Sequence, residues 1–184
     1  MLTLYHDFPS AASLVAVLRL QRLRDAGVAV DIRGFDSLGL AVALPATMDD
    51  LADWERNRRA AADLGWDLPR PTRHPVTLSA HLVGEYARSV GLDAAWRLAC
   101  YRAHWLDGDD LGDPAVLLRL AGGVGLDTAV VGAIVDDREG HTTLRQQMLV
   151  HRGEGVGGVP VLEFDGTFLS PDLSDDDLAA LAAL

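Results

Sequence analysis

Strand patterning at both ends of the chain, with a long helical stretch between, constrains its fold more than any other feature. Residues 2–6, LTLYH, read as a short strand. The stretch 7–13, DFPSAAS, is a turn and helix start, punctuated by Pro9 and Ser10, with Ser10 placed as the N-cap. From 11 to 26 the apolar residues Leu14, Val17, Leu18 and Leu23 recur at helical spacing, and Gly27 ends the helix. Residues 28–36, VAVDIRGFD, alternate as a second strand, so the chain opens with a βαβ unit of minimal length.

From Asp49 to about Asp137 the helical period dominates. The pattern predicts helices over 48–64, 77–91, 92–106, 113–121 and 126–138. Gly65, the proline-rich LPRPTRHP at 68–75, Gly91 and the turn DGDDLGDP at 107–114 separate them. A further helix is expected over 141–152. Val159–Phe164 then reads as a strand, Asp165-Gly166 as a two-residue hairpin turn, and Thr167–Leu169 as the return strand. The tail 174–184 reads as a helix, with Ser174 as its cap and three Asp in its first turn, where the helix dipole favours them. The order is β-α-β, a helical block, then α-β-β-α. With the block removed, this is the thioredoxin topology. The expectation is an α/β thioredoxin fold, residues 1–47 and 139–184, with an inserted α-helical domain over 48–138.

Composition bounds the function classes. At 184 residues the chain fits one domain, or one domain with a sizeable insertion. Hydrophobic residues make up 49%, enough for a core. The net charge of −11 argues against a nucleic-acid or anionic-membrane surface. Acidic groups at 49–50, 107–113, 136–139 and 172–177 read as solvated surface. Cys100 is the single cysteine, so there is no CxxC motif, no intramolecular disulfide and no Cys/His zinc cluster. Its place in WRLACYRAHW reads as a small buried hydrophobe. No metal is expected, since His74, His81, His104, His141 and His151 lack ligand spacing. MLTLYHDF lacks the features of a secretory leader, and no apolar run reaches the ~18 residues of a membrane span. A cytoplasmic location is the expectation.

Two segments carry a family resemblance. LYHDFPSAAS followed by a helix resembles the strand–turn–helix of DsbA-like proteins, where C-x-x-C follows the turn. It is equally similar to the kappa-class glutathione transferases and the 2-hydroxychromene-2-carboxylate isomerases, which carry D-F-x-S-P-Y-S there. Ser10 falls on the first cysteine, or on the catalytic serine of the serine-using enzymes, and Ser13 on the second cysteine. Ala11-Ala12 stands where those enzymes have Pro-Tyr or Pro-Trp. The second segment, Gly157-Gly158-Val159-Pro160, resembles the G-V-P loop whose proline is cis and faces the active-site turn. Beyond it, FDGTFLSPD resembles the isomerase and transferase ending, with Asp172 on the acidic residue that holds the glutathione amine.

The resemblance implies a thiol cofactor, glutathione or mycothiol, acting with a hydrophobic small-molecule substrate, and a homodimer. Its sulfur would sit near Ser10, whose hydroxyl donates to the thiolate at a helix end that favours negative charge. The backbone of Val159, before Pro160, would pair with the cofactor's cysteinyl backbone. Ser13 and Asp172 complete the implied set. The residues alone allow a plainer account: Ser10 as a simple N-cap, Ser13 and Asp172 as structural residues, His6 as strand-end packing, and the four tryptophans as core. A DsbA-like scaffold that binds a peptide or small molecule without turnover is the alternative function.

Overall fold

A computed structural model describes residues 1–183. Strand β1 (Leu2–His6) is followed by helix α1 (Ala11–Asp25) and strand β2 (Val30–Gly34), with β1 and β2 parallel from Leu2↔Val30 to His6↔Gly34. Five helices follow: α2 (Met48–Asp63), α3 (Leu78–Ser89), α4 (Asp93–Arg102), α5 (Pro114–Val124) and α6 (Thr128–Asp136). Helix α7 (Arg138–Glu154), strands β5 (Val161–Phe164) and β6 (Thr167–Leu169) and helix α8 (Asp175–Ala182) close the chain. Two short strands, β3 (Leu44–Pro45) and β4 (Arg73–His74), pair antiparallel on either side of α2. The main sheet runs β2-β1-β5-β6, and β5 is antiparallel to both its neighbours.

The alternation of β1 builds the layers. Leu2 and Leu4 point to one face, where they join Leu14, Val17 and Leu20 of α1, Trp96, Cys100 and Tyr101 of α4, Leu117 and Val131 in one core cluster. That cluster runs without a break from the sheet into the helical block. Tyr5 points to the other face and packs with Phe35, Leu144, Met148 and Val156 against α7. The sheet is therefore covered on both sides.

The turns follow their local chemistry. Asp165 and Gly166 take φ of 48° and 75°, the left-handed pair that a two-residue hairpin needs. Ser10 and Ser174 cap their helices as the sequence predicts, and Asp113 caps α5 through the Ala115 amide. Thr77 precedes α3 without a side-chain hydrogen bond to it.

The expected helix over 92–106 is α4 continued as a π-helix through Ala103–Asp107. The helix expected over 141–152 begins earlier, because Asp137 caps it through the Glu139 amide. The β3–β4 pair has no expectation behind it: two residues per strand are too few to show a period. The last residue of the predicted tail helix, Leu184, lies outside the described residues. Among the described residues, no helix is long and apolar enough to cross a membrane.

Candidate functional site

The turn between β1 and α1 is built from Asp7 upward. Asp7 is fully buried. Its carboxylate accepts from the Phe8 amide at 2.9 Å, from the Ser37 amide and hydroxyl at 2.8 Å each, and is bonded to His81 Nε2 at 2.9 Å. Burial by itself would raise the Asp7 carboxyl, but the His81 and Ser37 bonds outweigh it and hold it below the usual carboxylate range. The turn backbone is held from α4 and its π-helical extension. The Tyr101 hydroxyl donates to Asp7 O at 3.2 Å, and Trp105 Nε1–H donates to Phe8 O at 2.9 Å. His81 stacks on Phe8 with ring centroids 4.7 Å apart.

His6 belongs to this support. It is buried, and its Nδ1 lies 3.0 Å from the Tyr101 hydroxyl. Burial, with His81 and Arg97 nearby, pushes its imidazole well below the ordinary value, so it stands neutral at the end of β1. Trp54, Trp96 and Trp105 all donate to backbone carbonyls and pack against the core, which is the plain expectation for them.

Ser10 presents a different picture. Its Oγ accepts from the Ser13 amide at 3.1 Å, the N-cap bond. Its own proton goes to Asp53 Oδ2 at 3.0 Å. The same carboxylate accepts from the Ala12 amide at 3.3 Å and from Asn57 Nδ2 at 2.9 Å. Asp53 lies on α2, so a side chain of the helical block sits at the start of α1.

Ser10 and Val159 line one open cleft of ≈ 310 Å³. Pro9, Ser37, Leu38 and Thr47 contribute to it, and its charged residues are Asp49, Asp50, Asp53, Arg56 and His74. The Val159–Pro160 peptide bond is cis. His74 Nδ1 is 2.9 Å from Asp50 Oδ1. Burial opposes the charged forms of both, yet their hydrogen bond wins: His74 is raised and Asp50 lowered from their ordinary values.

The other predicted residues lie elsewhere. Ser13 is fully buried, and its hydroxyl accepts from the Asp7 amide at 3.3 Å, so it braces the turn and does not line the cleft. Asp172 is exposed, bonded to the Ser170 hydroxyl at 3.1 Å, and is not part of the cleft wall. Its loop is tied to α1 by Arg19, which donates to the carbonyls of Pro171 and Leu173 and to Asp175. Cys100 is buried, and burial pushes its thiol well above the ordinary value. Among the described residues no cluster suited to a metal ion occurs.

Asp53, Arg56, His74 and Ser37 enter the site only through tertiary packing. Asp7 lies in the motif DFPSAAS, but its pairing with His81 spans 74 residues and has no local signal. Another cleft, of ≈ 250 Å³, is lined by the 69–73 segment, His104 and the π-helix.

A thioredoxin-type sheet, a capped helix after the first strand, and a Val-Pro loop beside that helix define the class of protein. The chain belongs to the DSBA-like thioredoxin domain family, whose model matches residues 1–182. Solved structures agree in fold. A probable DsbA oxidoreductase from Streptomyces coelicolor is 20% identical, with 99% of this chain and 88% of that one covered and a TM-score of 0.78. A 2-hydroxychromene-2-carboxylate isomerase is 19% identical, covering 99% and 92%, with a TM-score of 0.71. The cytosolic disulfide reductase DsbM from Pseudomonas aeruginosa, in its structure with GSH, is 17% identical, covering 99% and 96%, with a TM-score of 0.69. No curated protein matches the chain in sequence.

Proposed function

We propose that this chain binds a small-molecule thiol cofactor in the Ser10–Val159 cleft and uses it as an isomerase or transferase acting on a hydrophobic substrate. The observation that carries this reading is the shared cleft: Ser10, which caps α1, and Val159, the residue before Pro160, line one open space. The chain supplies no dithiol, since its one cysteine is buried away from that space. A bound thiol supplies the nucleophilic sulfur. Ser10 contributes a hydrogen bond to it, and the start of α1 adds a favourable field. Val159 offers its backbone N–H and C=O to hold the cofactor in register.

The charge of the cleft favours one kind of thiol. Asp49, Asp50 and Asp53 outnumber Arg56 and His74, so the wall is acidic on balance. Glutathione brings two carboxylates, and Asp172, the residue implied for its amine, is not in the wall. A thiol on an uncharged polyol carrier, such as mycothiol, meets less repulsion. The reading fits a cytoplasmic setting, where thiols stay reduced. Isothermal titration tests it: mycothiol binds saturably and more tightly than glutathione, and heat-free titrations with both sink it.

The engagement of Ser10 by Asp53 favours a second reading, a scaffold that binds a ligand in the same cleft without turnover. Under that reading, Ser10→Ala changes helix stability and leaves ligand affinity intact.

A further inference from the structure

The thiol-binding reading uses Asp53 only as one charge of the wall, yet Asp53 holds the groups that reading needs. A serine hydroxyl has one proton to donate. Here it goes to Asp53 Oδ2 at 3.0 Å, while the oxygen's acceptor side is taken by the Ser13 amide. The Ala12 amide, at the second position of α1, points at both Asp53 oxygens at 3.3 Å. Asn57, one turn further along α2, holds the carboxylate from behind at 2.9 Å. The carboxylate is therefore a seated group with its own support.

We propose that Asp53 occupies the sulfur position at Ser10 and opposes a thiolate there, which makes it the residue that decides whether and in what protonation state a thiol docks. The proposal rests on the thiol-binding reading for its ligand, and on the Ser10–Asp53–Ala12 geometry for its mechanism. A sulfur at Ser10 and the Asp53 carboxylate compete for one O–H and one N–H. With both present, two like charges lie together, which disfavours the ionised thiol. A thiolate forms only when Asp53 withdraws.

Helix α2 is the element suited to such a withdrawal. Ala61 is its one fully buried residue. Beside Asp53's own bonds to Ser10 and Ala12, its neighbours are tied by the Asp50–His74 bond and the Trp54 indole on Leu68 O at 3.0 Å. Elements with little buried apolar surface open locally at low cost.

The test places a thiol directly against the Asp53 carboxylate. Ser10→Cys is titrated through its thiolate absorbance, alone and combined with Asp53→Asn. The other charged groups of the cleft, Asp49, Asp50, Arg56 and His74, are common to both chains. Neutralising Asp53 lowers the thiol midpoint by about 1 unit or more; equal midpoints, or a higher one, overturn the proposal. A second measurement keeps Ser10: mycothiol and glutathione are titrated into the native chain and into Asp53→Asn. Affinity for the thiol rises about tenfold or more in the variant, and affinity that is unchanged or weaker counts against Asp53. A midpoint shift with no thiol binding in either chain supports the Asp53 assignment and defeats the thiol-cofactor reading.

Discussion

Asp7 and His81 pair at 2.9 Å in the buried layer beneath the turn that carries Ser10. The pair joins β1 to α3, and Ser37 closes it from the β2 side. Removing one partner of such a pair leaves the other buried without compensation. Asp7→Asn and His81→Ala should each destabilise the fold by about 3–5 kcal/mol in urea titrations. A loss of about 0.5 kcal/mol, the size of an ordinary surface substitution, contradicts the assignment.

Gly34 guards the same pair. A Cβ at this position would lie 2.1 Å from His81 Nδ1. The ring cannot swing away without breaking its bond to Asp7, so Gly34→Ala should cost about 1–3 kcal/mol, as overpacking of a core does. Equal urea midpoints for the native chain and the variant would show that the ring has room.

How far the sequence reveals this site depends on how local each signal is. The Ser10 cap, the Asp165-Gly166 hairpin and the strand LTLYH are written in adjacent residues, and the structure has all three. The Asp53 carboxylate at Ser10 is not visible that way, because Asp53 sits in a polar helix where any acidic residue reads as solvated surface. Asp172 shows the converse. Its motif is local and clear, but the Arg19 tie and the Ser170 turn hold it outside the cleft. The π-helix at Ala103–Asp107 also escaped, since one extra residue in a turn leaves the apolar period almost unchanged.

His104 gives the molecule an acid-sensitive point. Burial lowers its imidazole from the ordinary 6.5 to about 4, and its Nδ1 has no partner. Between those values the unfolded chain binds a proton that the folded chain refuses. Its contribution is intact above 6.5 and is lost as pH falls toward 4, by about 3 kcal/mol over the whole window. Urea stabilities of the native chain and His104→Phe at both pH values isolate it. The native chain should lose about 3 kcal/mol more than the variant, and parallel losses would assign the acid limb to other groups.

Arg19 ties α1 to the loop before α8 through the Pro171 and Leu173 carbonyls and Asp175. Arg19→Ala should accelerate amide exchange across 171–175 and cost about 1–3 kcal/mol, the range for bonds to a charged group. Unchanged exchange in that loop would show that the tie carries no load.

Cys100 should be chemically silent. Its burial and raised pKa predict no reaction with a disulfide reagent in the folded chain and one equivalent after denaturation. Rapid reaction in the native state would place a thiol at the surface, against the core packing of α4.

A thiol that binds in the cleft of Ser10 and Val159 reports on the residues around it. Amide chemical shifts, followed while mycothiol is titrated into the native protein, test that binding most directly. The amides of 10–13 and Val159 should move first and together, with α2 responding around Asp53. Shifts confined to the 69–73 and 104–109 cleft, or none at all, would contradict it.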